Sequence, residues 1–113
     1  MNLLHVCGDY DIFHKNLIRE QINHGINSRV FHYTTRHKKM EADKEVFVDF
    51  YNSPIRVLRS PLFFRKRLKD VSNYFCKLYK SKFPYDIIHA HMWFSDGGIA
   101  YIANQIWGVP YIV

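Results

Sequence analysis

Cysteine, acidic residues and long apolar runs are all in short supply in this chain, and each shortage removes a class of protein. The 2 cysteines, Cys7 and Cys76, lie far apart with no Cys-x-x-Cys spacing. Each falls in an apolar or helical pattern, so both read as reduced, buried residues rather than as a disulfide framework. No apolar stretch approaches the roughly 18 residues needed to span a bilayer. The N-terminal "MNLLHVCGDY" lacks the charged start and the long apolar segment of a signal peptide. The expected location is therefore the cytoplasm, or the inner face of the plasma membrane as a peripheral protein. Repeats, low-complexity segments and a convincing linker are also missing, which with 113 residues leaves one domain at most.

The 10 acidic residues are outnumbered by 16 Lys and Arg, giving a net charge of +6 and a pI near 9.4. A basic surface suits nucleic acid, anionic lipid headgroups or phosphorylated small molecules. No nucleic-acid motif accompanies the charge, which argues against the first. Hydrophobic residues reach 48% and aromatics 17%, many of them in short apolar runs, as in a sheet with buried strands.

Along the chain, residues 2–7 (NLLHVC) read as a buried first strand stopped by Gly8-Asp9. From Asp11, a fair N-cap, the period changes to helical. Phe13, Leu17, Ile18, Gln21 and Ile22 are expected on one face, with His14, Lys15, Arg19 and Glu20 on the other. Gly25 is placed to end that helix in the left-handed conformation. Residues 29–33 and 46–51 read as strands, the polar stretch 34–45 between them as a loop, and 55–59 as a strand or an irregular approach. Ser60-Pro61 is a helix-start signal, and Phe64, Leu68, Val71, Phe75 and Leu78 form an apolar stripe for a helix over 61–82. A strand over 86–91, a helix over 95–107 capped by Gly108 and a strand over 110–113 complete the order. This β-α-β-(β)-α-β-α-β alternation predicts an α/β fold, Rossmann-like, with three α/β/α layers and a mostly parallel sheet.

Two clusters invite chemistry. His89 and His91, one residue apart on a strand, share a face at roughly 6.5–7 Å. A zinc site needs a third ligand. No cysteine or carboxylate stands at a supporting spacing, although His5 on the first strand could approach, so no metal is assigned. His91 is read instead at the carboxyl end of a parallel strand, where open α/β sheets bind ligands. Ser95-Asp96-Gly97-Gly98 opens a helix. Its simplest role is capping by Ser95 or Asp96 and close helix–sheet packing at the glycines; a cleft-facing terminus for sugar hydroxyls is the functional alternative. Arg65, Lys66, Arg67, Lys69, Lys77, Lys80 and Lys82 form the polar part of the 61–82 helix, a solvated face that would also suit an anionic membrane surface.

The stretch "YDIIHAHMWFSDGGIAYIANQIWGVPYIV", Tyr85 to Val113, resembles the N-terminal domain of the GT-B glycosyltransferases, family 4 in particular. "MNLLHVCG" and "HKNLIREQINHGINSRVF" are similar to the first strand, helix, glycine and second strand of the same domain. The resemblance implies a partial N-terminal Rossmann-like domain over 1–113, with the donor-binding domain and its paired-glutamate signature absent. It implies transfer of a glycosyl group from a nucleotide sugar to a glycan, lipid or small-molecule acceptor, without a cofactor or metal, by a whole enzyme of which this chain alone is inactive. Gly8, Asp9, Tyr10, His91, Ser95, Asp96, Gly97 and Gly98 would then line the substrate cleft, with no catalytic residue assigned. The first loop departs from the family's glycine pair, reading Gly8-Asp9-Tyr10-Asp11, whose carboxylates repel phosphate. The competing expectation is a stand-alone Rossmann-like binding or interaction module without catalysis.

Overall fold

The computed structural model describes residues 1–34, 46–54, 61–80 and 83–113. Its elements run β1 (Asn2–Cys7), α1 (Ile12–Asn23), β2 (Asn27–Thr34), β3 (Val48–Asn52), α2 (Pro61–Leu78), β4 (Ile87–Ala90), α3 (Ser95–Trp107) and β5 (Tyr111–Ile112). The expected alternation is therefore present. The loop over 35–45, the segment 55–59, the cap at Ser60 and Lys82 lie outside the described residues.

All strand pairs are parallel, in the order β3-β2-β1-β4-β5. Parallel neighbours need crossover connections, and the helices that supply them cover the sheet. Alternate β1 side chains go to opposite layers. Leu4 and Val6 join Val71 and Phe75 of α2 and Ile99, Ala100 and Ala103 of α3 in one core. Cys7 joins Val30 of β2 and Ile18 of α1 in another. Fully burying a Phe, Leu or Ile side chain stabilises by about 1.5–3 kcal/mol, so the larger cluster under α2 and α3 dominates the fold's hydrophobic stabilisation. The architecture is a small Rossmann-like α/β domain, as the sequence pattern predicts.

Two helices sit differently from expectation. In α1 the ring of Phe13 is 73% exposed and Leu17 38% exposed, while Ile18 is buried and His14 is half-buried. The helix is rotated so that His14, Ile18 and Gln21 face the sheet. The sheet surface explains this. It presents His5 and Ser28, and Gln21 accepts hydrogen bonds from both, at 2.7 Å from His5 Nε2 and 3.1 Å from Ser28 Oγ. The Asp11 cap adds to it, with Oδ1 accepting from the Phe13 and His14 amides and from His14 Nδ1. In α2 the apolar stripe holds at Val71 and Phe75, but the helix ends at Leu78, not at 82. Leu78 is exposed and Tyr79 takes the buried position instead, edge-on to Phe75 and Tyr85.

The C-termini follow the sequence signals. Gly25 (φ +85°) follows the last turn of α1, and Gly108 (φ +68°) ends α3, both in the left-handed region that favours glycine.

Candidate functional site at the carboxyl edge of the sheet

The register between the two central strands brings the histidines together. His5 of β1 lies opposite His89 of β4, and both point to the α1 face with His91, two residues further on. The rings of His89 and His91 stack at 4.3 Å between centroids, closer than an extended strand alone would place them. The His5 ring lies 5.2 Å from His89 and 5.1 Å from His91. His5 Nδ1 is 2.8 Å from His91 Nε2, and His14 sets its ring edge-on to His91 at 4.8 Å.

These contacts assign the protons. Gln21 Oε1 accepts from Ser28, so it also accepts from His5, whose Nε2 then carries the hydrogen. His5 Nδ1 therefore presents its lone pair, and His91 Nε2–H donates to it. Burial holds the cluster neutral. It lowers the pKa of His5 to about 4 and that of His91 to about 3, with neighbouring histidines adding to the shift at His91. His89 is lowered for the same reason.

On the opposite face of the strands, Asp96 ties three segments together. Its Oδ1 accepts from the Gly8 amide at 3.0 Å and from the Tyr33 hydroxyl, and its Oδ2 from the Met92 amide at 2.9 Å. The carboxyl is fully buried. Desolvation raises its pKa to about 6 against the pull of those donors, and the Tyr33 phenol is driven up by the same burial and by Asp96 itself. Gly8 is part of this knot: a Cβ there would lie 2.8 Å from Tyr33 Oη and 3.1 Å from Asp96 Oδ1. At Gly98 a Cβ would press on Leu68 at 3.1 Å, so this glycine allows α3 to approach α2.

The start of α3 differs from the expected cap. Phe94 occupies the N-cap position without a side-chain hydrogen bond, and neither Ser95 nor Asp96 caps. The Gly97 and Gly98 amides donate to Met92 and Phe94 carbonyls at 2.9 and 3.1 Å, so the terminus satisfies them within its own turn. Of the residues expected to line a cleft, Gly8 and Asp96 thus join β1, β2 and α3, while Gly97 is buried beside Met92 and Val113. Asp9 is exposed, while Tyr10 is half-buried with its ring 5.7 Å from His32. His91 and Ser95 are half-buried at the edge. Between them Met92, Trp93 and Phe94 project outward, the two rings 79% and 80% exposed.

This arrangement of sheet and helices has counterparts among solved structures. The chain is similar to the C-terminal domain of a hydrogenase. Two crystal structures of that domain, from Pyrococcus furiosus, superpose with TM-scores of 0.70 and 0.70. One is 13% identical and aligns over 98% of this chain and 88% of its own. The other is 17% identical, over 99% and 89%. At that identity the likeness is one of fold alone, a Rossmann-like α/β domain. No protein-family model and no curated protein matches the chain.

The comparison corrects the resemblance to the GT-B glycosyltransferases. The domain matched nearly end to end belongs to a hydrogenase, a different fold family. The correction has a physical reason. A strand, a turn, a small-residue helix start, a Gly-x-Pro stop and another strand are what any parallel βαβ unit requires. The pattern over 85–113 specifies that unit and not its lineage.

Sequence reasoning reached His91 and noted His5, but missed Gln21, His14 and Tyr33 as partners. Gln21 carried a signal, being the one polar residue in the expected apolar stripe of α1. Tyr33 carried none, because its partner lies 63 residues away.

Proposed function

We propose that the carboxyl edge of the sheet binds a glycan, and that the chain serves transfer of a glycosyl group from a nucleotide sugar to that glycan or its lipid carrier. The observation that supports the glycan is the adjoining of Trp93 and Phe94, almost fully exposed, to the half-buried His91. Sugars present C–H faces that stack on aromatic rings and hydroxyls that need neutral donors and acceptors. An imidazole held neutral by burial meets the second need, and the two rings meet the first. Strands β1 and β4 are also where the strand order reverses direction, the place at which open α/β sheets bind ligands. Asp9 and Asp11, both exposed in the first loop, disfavour the phosphates of a nucleotide here, so the donor is assigned elsewhere. This reading stands on the chemistry of the edge and not on the GT-B likeness.

Tryptophan fluorescence tests it, since the chain has 2 tryptophans and Trp93 is the exposed one. A panel of neutral oligosaccharides should include one that shifts the emission saturably, with affinity, compared by isothermal titration calorimetry, weakened roughly tenfold or more in Trp93→Ala, as for loss of an exposed aromatic anchor. Nucleotide sugars should leave the signal unchanged. Saturable binding that survives Trp93→Ala, or a panel that produces no shift at millimolar concentration, refutes the proposal.

A further inference from the structure

The histidine cluster lies on the α1 face of β1 and β4, and the glycan reading uses only the rim of it. We propose that His5, His89 and His91 bind a single divalent transition-metal ion of zinc-like character, leaving the remaining coordination position to solvent or to an exogenous ligand. One imidazole nitrogen from each residue falls in a group whose members all lie within 4.8 Å of one another. A metal holding nitrogens at 2.0–2.1 Å spaces them roughly 3.3 Å apart in a tetrahedral arrangement. Rotation of the imidazole rings is the adjustment that would bring the nitrogens from the observed to the required spacing.

Three features favour an ion over a merely packed cluster. The first is rigidity: His5 and His89 sit on the interior strands β1 and β4, in a register fixed by parallel pairing on both sides, and His91, one residue past the end of β4, is held by its amide on the Val6 carbonyl at 3.2 Å. Sites built on such elements hold geometry better than sites on loops. The second is orientation. A metal-binding histidine needs its other nitrogen tied down, and Gln21, itself held by Ser28, does that for His5 and leaves Nδ1 with its lone pair inward. The 2.8 Å contact from His91 Nε2 to that lone pair marks where the ion would replace a shared proton. The third is an unspent ligand: His89 makes no hydrogen bond to any described residue, although it is half-buried on a central strand.

The donor set selects the class of ion. Three neutral imidazoles suit zinc, cobalt, nickel or copper, and they lack the carboxylate and carbonyl oxygens that calcium and magnesium require. His89 and His91 are each half-buried, so the ion would be reachable from solvent. Three protein ligands with one position open is the arrangement of catalytic rather than structural zinc.

The experiment is a titration of the chelator-stripped chain with Co²⁺, read by its visible d–d absorption, followed by competition with Zn²⁺. The expected result is one equivalent bound, displaced by zinc and unaffected by Mg²⁺. His89→Ala and His91→Ala should each weaken binding by more than the roughly 10- to 100-fold that loss of an outer-shell partner produces, and Gln21→Leu by an amount within that range. His24→Ala, on an exposed turn, should bind as wild type. Far-UV circular dichroism checks that each variant is folded. Independently of any variant, imidazole ¹⁵N shifts on adding Zn²⁺ should fall on His5, His89 and His91. Absence of stoichiometric binding, wild-type affinity in His89→Ala or His91→Ala, or shifts confined to other histidines would overturn the proposal.

Discussion

At neutral pH the Asp96 carboxyl is ionised in a place that resists the charge, and this makes it the residue with the clearest pH signature. Its pKa stands near 6 in the folded chain against an ordinary aspartate value of 3.8, with burial as the main cause. Between those two pH values the folded state holds a proton that the unfolded state lacks. The stabilisation is therefore fully present below about pH 3.8 and is lost as pH rises through 6. An asparagine side chain cannot titrate, so Asp96→Asn removes the dependence. As pH falls from 7 to 4, the stability of wild type relative to Asp96→Asn should improve, by at most about 3 kcal/mol at 1.36 kcal/mol per pKa unit. Chemical denaturation of both proteins across that range measures it, and a difference that stays flat would refute it. The histidines act in the opposite sense. His5 and His91 have lowered pKa values, so their contribution is lost as pH falls below 6.5, but it is common to both proteins and cancels.

At the scale of the element, α1 shows how a polar sheet surface overrides an apolar stripe. Periodicity alone would send Phe13 and Leu17 inward with Ile18. The sheet beneath offers His5 and Ser28, which hydrocarbon cannot satisfy, so Gln21 keeps its inward place, His14 turns in and the Phe13 ring is left outside. Substitutions should report the rotation. Ile18→Ala should destabilise by about 2–5 kcal/mol, as for a buried aliphatic side chain. Phe13→Ser should stay within about 0.5 kcal/mol of wild type. Equal losses at the two positions would mean the helix sits as its apolar stripe suggests. The elements themselves were legible because their punctuation is local. Asp11 caps α1, the glycines at 25 and 108 stand where a left-handed residue is needed, and Pro61 opens α2. The rotation of α1 was not legible, since its cause lies on strands before and after it.

For the molecule as a whole, the strand order places β1 between β2 and β4, with helices on both of its faces. Leu4, His5 and Val6 are fully buried, whereas Ile112 at the outer strand is 52% exposed. Backbone opening should follow this gradient. Amide exchange measured by NMR should be slowest at Leu4, His5 and Val6 and clearly faster at Tyr111 and Ile112, and uniform protection across the sheet would contradict the order described. Among the described residues no helix is long and apolar enough to cross a membrane. The cationic face of α2 is only partly solvated, because Arg67 lies over the Tyr33 ring at 5.5 Å.

Local chemistry in the sequence determined the α/β alternation, the helix ends marked by glycine and the placing of two histidines, one residue apart, at the carboxyl end of β4. These depend on side-chain periodicity and on residues within a few positions of each other. The tertiary structure decided everything that requires two distant strands to be in register. It brought His5 to His89 and His91, tied Asp96 to Gly8 and Tyr33, and drew Gln21 of α1 onto His5. The GT-B resemblance fell at the same scale, because a pattern that specifies a βαβ unit is shared by unrelated proteins. His5 and His91 stand more than 80 residues apart in the chain, yet their imidazole nitrogens lie 2.8 Å from each other in space.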